Sequence, residues 1–331
     1  VALLLLVAVV ASSRGEDAKR DAKIKEAIDR GLKVVTRGAT AYPEHRQCFS
    51  CHHQTLPLQA MSLARAAGYD YDQDAFKQQL EFTNAFFAGK HETLARGERI
   101  GGAAATVSYG LWTYDMAEVG ASEVTDAMVK NLLELQQPEG QWVPPSMRPP
   151  LEESHITCTV LSAYGLQKFA RGADAAAAKL AFDKASAWID AAKPETTEDL
   201  SFALLWYTCF RSDQARASAI HKRLMAEQRA DGGWGQREGM ESDAYATGQA
   251  LTYTAEFTLA DKVSNKRAVD FLLSTQQEDG SWHVKTRSKP VQKFFDNGDP
   301  HGNDQFISMA ATSWATTALI MDNFRNWPSL K

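Results

Sequence analysis

From residue 20 onward the hydrophobic positions recur at a spacing of three to four residues, broken by Gly, Pro and polar turns, with almost no alternating strand pattern. Three stretches repeat one design: LLELQQPEGQW at Leu132 to Trp142, LMAEQRADGGW at Leu224 to Trp234, and FLLSTQQEDGSW at Phe271 to Trp282. Each reads as the end of an amphipathic helix, then Gln, a Gly-containing turn and Trp. The Gly suits the left-handed turn that ends a helix, and the Trp can cover the exposed helix end. These tryptophans lie 92 and 48 residues apart. The first gap is close to twice the second, so a degenerate unit belongs between them. Ala181 to Ala192, amphipathic and ended by Pro194, fills that place.

Each such helix is followed by a loop and a second helix rich in Ala, Thr, Ser and aromatic residues. The second helices read Gln54 to Ala67, Gly102 to Val119, His155 to Ala170, Asp199 to Phe210, Asp243 to Leu259 and Gln305 to Phe324. The first two follow outer helices at Ala22 to Thr36 and Phe76 to Phe87. Six pairs predict an all-α chain closed into an (α/α)6 toroid, with small residues letting the inner helices approach closely. The length is spent on one domain, residues 16–331, preceded by residues 1–15.

Val1 to Ala11 is an unbroken apolar run, followed by small residues and a charged stretch. It is too short to span a bilayer and fits the apolar region of a signal peptide cleaved near Ser13 or Gly15; a buried N-terminal helix is the alternative. The signal predicts a periplasmic or secreted protein with no integral membrane segment after cleavage. The 36 Lys+Arg against 41 Asp+Glu give a net charge of -5 with no basic stripe, which argues against nucleic acid. With 44% hydrophobic residues the chain can build a sizeable core.

Cys48-Phe49-Ser50-Cys51-His52 matches CxxCH, the attachment pattern of haem c. Two thiols on a short turn reach the haem vinyl groups, and the adjacent His ligates iron. A Cys48–Cys51 disulfide or redox pair and a zinc site using His52 or His53 are the competing readings. Cys158 and Cys209 lie in apolar helices and read as core. In a closed ring, the loops of pairs two and six flank this turn. The expected second iron ligand is therefore His301, with His91 and His155 behind it; His53 is disfavoured by its adjacency to His52. Lys285, Arg287 and Lys289 are candidates for the haem propionates, and Phe294, Phe295 and Phe306 for packing on the porphyrin. Solvated surface, polar loop and core packing explain the same residues.

The Gln-turn-Trp repeats resemble the QW motifs of the squalene–hopene cyclase and prenyltransferase superfamily, over residues 100–325 by motif. That resemblance implies the toroid and, for cyclases, an aspartic-acid DxDD motif at an inner-helix start. The corresponding stretch Gly239 to Ala250 offers only Glu241 and Asp243, the candidate acids of a cyclase reading. Helix capping explains these, as it does Glu152, Glu153, Glu198 and Asp199. Asp72 and Asp74 precede an outer helix. The Asp-x-Cys zinc pair of protein prenyltransferases and the Cys-Gly-Glu-Gln thioester of complement proteins do not occur.

The sequence thus carries three expectations. The first is an exported haem c (iron) protein transferring electrons to a periplasmic redox partner, or doing redox chemistry at the barrel mouth. The second is a cyclase-like enzyme acting on an apolar isoprenoid in the central cavity. The third is a module that binds a lipid or partner without chemistry.

Overall fold

The computed structural model describes residues 2–257, 262–289 and 293–323, with side chains described from residue 18 and not for residues 256–257. The apolar run and the cleavage boundary near residue 15 therefore lie outside the described side chains. Among the described residues twelve helices alternate between an outer and an inner ring, and a short further helix, His91–Ala95, lies in the second connection. The outer helices are α1 (Ala2–His45), α3 (Gln73–Ala88), α5 (Glu123–Leu135), α7 (Asp174–Ala191), α9 (Gln214–Ala226) and α11 (Lys262–Thr275). The inner ones are α2 (Leu56–Ala67), α4 (Ala103–Met116), α6 (His155–Phe169), α8 (Thr197–Leu205), α10 (Ala244–Phe257) and α12 (Gln305–Asn323). The inner helices touch in the order α2, α4, α6, α8, α10, α12 and back to α2, which closes the ring. The (α/α)6 toroid read from the repeats is the fold. Among the described residues there is no strand, and no helix is long and apolar enough to cross a membrane.

The repeated Gln, Gly and Trp each hold a seam between pairs. Trp142, Trp234 and Trp282 are fully buried, and each indole N–H donates to the carbonyl ten residues back, at Leu132 (2.7 Å), Leu224 (2.7 Å) and Leu272 (2.9 Å). Those carbonyls lie in the last turn or two of an outer helix, where orphan acceptors gather. The Gln side chains bridge their own turn to the next outer helix. Gln136 donates to Gly140 and Ala181, Gln228 to Gly232 and Ser264, and Gln276 to Gly280 and Ala27. The last of these joins the sixth pair to the first. The glycine is needed for close approach as well as for its backbone: Gly280 has φ +92°, and a Cβ there would lie 2.7 Å from the Arg30 carbonyl oxygen.

The centre of the toroid is filled. Trp112 of α4 meets Phe202 of α8 and Trp314 of α12 across the ring, with ring centroids 6.4 and 6.3 Å apart, and Tyr253 of α10 packs on both Phe202 and Trp314. These aromatic side chains of α4, α8, α10 and α12 pack together at that level of the ring.

Candidate functional site

The open space lies at the mouth, where outer helices hand over to inner ones. A cavity of about 890 Å³ is walled there by the connections of pairs one, two, three and six. That volume is at the upper end for small-molecule and cofactor sites. Cys48, Cys51 and His52 all line it. Pairs two and six flank the turn as ring closure predicts, and Arg148 to Glu152 of pair three adds a wall that the sequence reading did not foresee.

The turn is firmly held. Ser50 donates from both its backbone N–H (2.8 Å) and its hydroxyl (3.0 Å) to Gln54 Oε1, and Phe49 is buried against Phe86 and Phe87. Cys51–Thr55 forms a π-helical turn before α2, a local geometry frequent at functional sites. All four cysteines are free, so the turn carries no disulfide. Cys48 is exposed, with its Sγ 3.2 Å from the Tyr42 hydroxyl. Burial pushes the Cys51 thiol up to about 12, with the nearby Glu152 adding to the shift. Cys158 is buried, as read, whereas Cys209 is half-buried.

His52 packs against Phe306, with ring centroids 4.9 Å apart, and both of its described polar partners, Ser50 Oγ and His53 Nδ1, are at Nδ1. A histidine that coordinates through Nε2 uses that edge for its supporting hydrogen bond. Desolvation, and then the positive charge of Arg148, push His52 down to about 3. The ring is therefore neutral at ordinary pH, the form that ligates metals. Behind it, His53 is wholly buried, stacked on Tyr42 at 4.8 Å and paired with Asn297 of the pair-six connection.

The other expected site residues are elsewhere. His301 is not among the residues lining the cavity; its Nε2 meets Ser281 Oγ at 2.8 Å and its ring stacks on His283 at 4.6 Å. Loop proximity was a fair guide to the element, but these partners turn the side chain away. His91 and His155 also do not line the cavity. Of the propionate candidates Lys289 does line it, joined by Lys293, Lys90 and Arg148, whereas Arg287 pairs with Glu153 at 2.8 Å. Phe294 and Phe306 are in the wall; Phe295 packs on Tyr42 and Phe306.

The candidate acids separate as well. Asp243 Oδ1 accepts from the Ala246 N–H at 2.9 Å and Oδ2 from Gln236 Nε2 at 2.7 Å, the bonding of a helix cap; Glu241 is exposed. Asp199 forms a capping box with Thr196, and Asp72 caps α3. Glu152 pairs with Arg148, and Glu153 with Arg237 and Arg287, so neither is a cap; Glu198 departs from the capping reading by burial. It is 5% exposed, its Oε2 accepts from the Tyr245 hydroxyl at 2.7 Å, and burial pushes its carboxyl up to about 7. It borders a separate polar pocket of about 10 Å³, room for roughly one water. Gln249 also borders that pocket.

Among the described residues, no group of three or more His, Cys, Asp or Glu is gathered to hold a bare metal ion, so the zinc expectation finds no ligand set. A porphyrin supplies four of the iron ligands itself, and a site with one neutral imidazole and two free thiols on one cavity wall fits a haem c.

The toroid recurs in solved structures. A protein from Actinoplanes is similar at TM-score 0.58 and 12% identity, over 88% of this chain and 99% of that one. A variant of the type II terpene cyclase MstE from Scytonema, in complex with geranylgeranyl dihydroxybenzoate, is similar at TM-score 0.55 and 13% identity, over 92% and 99%. A glycosidase variant in complex with glucose is similar at TM-score 0.61 and 12% identity, over 92% and 97%. At such identities the likeness is one of fold, and the fold hosts different chemistries. No curated protein matches the sequence. Residues 162–329, just over half of the chain, match the squalene–hopene cyclase C-terminal domain, a span that does not include the Cys48–His52 turn. The chain belongs to the squalene–hopene cyclase C-terminal domain family.

Proposed function

We propose that this cyclase-like toroid, after export to a periplasm or the cell exterior, carries one haem c in its mouth cavity. Cys48 and Cys51 are the attachment thiols and His52 is the protein's iron ligand. The observation that carries this reading is the gathering of two free thiols and a neutral imidazole on one wall of a cavity of about 890 Å³. Cys48 and Cys51 would hold the group through thioether bonds, and His52 would ligate its iron. When bound, the haem supplies one-electron redox chemistry at iron. The chain's own part is to hold and shield it. Phe306 packs against the His52 ring, and the His53–Asn297 contact anchors the turn to the pair-six connection. Lys90, Lys289, Lys293 and Arg148 give the cavity a cationic lining suited to carboxylates. Exchange of electrons with a periplasmic redox partner is the role this arrangement serves.

The test is a pyridine-haemochrome spectrum of protein produced with c-type maturation machinery, beside a Cys48→Ala/Cys51→Ala control. We expect a covalent haem spectrum in the parent and none in the control. A colourless parent beside a correctly matured reference cytochrome contradicts the reading.

One observation favours a second reading, a cyclase-like enzyme acting on a polyprenyl substrate. Family membership and the structural likeness to MstE support the scaffold for it, and Glu198, rather than Asp243 or Glu241, is the buried acid. The family match and the solved structures bear on this reading and not on the haem one; two features of the site weigh the other way. The ring centre is filled, and Glu198 borders a pocket of water size and not the large cavity. Product formed from geranylgeranyl substrates by the parent, and lost in Glu198→Gln, would establish it; no turnover by the parent would remove it.

A further inference from the structure

We infer that the iron held in this cavity keeps its second face open, so that the site binds a small exogenous ligand whose terminal oxygen accepts a hydrogen bond. The inference rests on the haem reading above. A haem that only carries electrons commonly takes a second protein ligand, usually Met or His. Of the eight histidines, only His52 lines the cavity among the described residues. His53 is engaged beneath it at both nitrogens, by His52 and Asn297. His283 and His301 are stacked on one another and bonded to Asp304 and Ser281. No methionine lines the cavity among the described residues. Met147, next to the wall residue Arg148, is 70% exposed to solvent. The undescribed residues 290–292 of the pair-six connection are Pro-Val-Gln and offer neither ligand.

The cavity wall also carries donors for a bound ligand. Tyr109 lines it and is 5% exposed, and its carbonyl accepts from the Thr55 hydroxyl at the end of the attachment turn. Arg148 lines it too, with its guanidinium donating to Glu152 at 2.9 Å. Donors beside an open iron position decide whether a diatomic or hydroperoxide ligand is retained there.

The experiment uses the full haem-loaded chain. Electron paramagnetic resonance and absorption of the ferric protein report the spin state, and carbon monoxide probes the ferrous iron. We expect a high-spin ferric signal, one carbon monoxide bound per haem, and a shifted C–O stretching frequency in Tyr109→Phe and Arg148→Leu. A low-spin ferric spectrum with no carbon monoxide adduct overturns the inference, and its loss in Met147→Ala or His301→Ala would name the occupying ligand. Failure of the haem reading is separate and visible first, as a missing haemochrome.

Discussion

Replacing Trp282 with alanine is expected to lower the free energy of unfolding by about 3–5 kcal/mol, the range for removing a fully buried Trp. Its indole is 1% exposed, and its N–H donates to the Leu272 carbonyl near the end of α11. Truncation leaves a cavity and an unpaired carbonyl together. The position also matters for closure, because Gln276 of the same motif donates 2.9 Å to the Ala27 carbonyl and ties the last outer helix to the first. Trp282→Phe separates the two contributions. It keeps most of the packing and removes the N–H, and should cost about 1–2 kcal/mol. Urea unfolding followed by circular dichroism reads both. A Trp282→Ala loss within about 0.5 kcal/mol, typical of an unconstrained surface change, would contradict the role given to the seam.

The second large effect is the contribution of Glu198 to the pH dependence of stability, opposite in sign to that of His52 and His53, which burial holds neutral. Glu198 is pushed up to about 7 from the ordinary carboxylate value of 4.5, chiefly by burial. The folded chain therefore holds a proton that the unfolded chain has released between those two values. Stability contributed by the neutral acid is fully present below about pH 4.5 and falls as pH rises to about 7, by about 3 kcal/mol. Asp299, also pushed up to about 7 by burial, acts in the same direction. Glu198→Gln keeps a neutral side chain of similar size, so the stability difference from the parent should grow with pH between about 4.5 and 7, with the variant the more stable form at pH 8. Denaturant titrations at a series of pH values give the slope. A Glu198→Gln profile parallel to the parent's would show that the carboxyl ionises freely in the folded state.

The features most legible in the sequence were those set by periodicity. The inner helix expected at His155 to Ala170 is observed at His155–Phe169, and that at Gln305 to Phe324 at Gln305–Asn323. Trp142, Trp234 and Trp282 repeat one bonding scheme because the same local turn recurs. Closure of the ring then correctly placed pairs two and six beside the Cys48–His52 turn. What stayed hidden depends on side-chain direction across the ring. An aromatic residue on an inner helix reads alike whether it lines a cavity or fills it, so the contact of Trp112 with Phe202 and Trp314 could not be foreseen. Glu198 and Asp199 are neighbours at a helix start and read alike as capping groups. Only Asp199 bonds backward to the turn, while Glu198 reaches inward to Tyr245. His301 was sought in the right loop, but its bond to Ser281 is a contact over twenty residues that no local pattern encodes.

The most direct test of the central claim is peptide-level mass spectrometry of the full chain after c-type maturation. The peptide holding Cys48 and Cys51 should carry the mass of one haem through two thioether bonds, and Cys158 and Cys209 none. An unmodified Cys48–Cys51 peptide, from cells that mature a reference c-type cytochrome in full, would contradict the account. The mouth cavity would then remain the walls of a cyclase-like toroid with some other occupant.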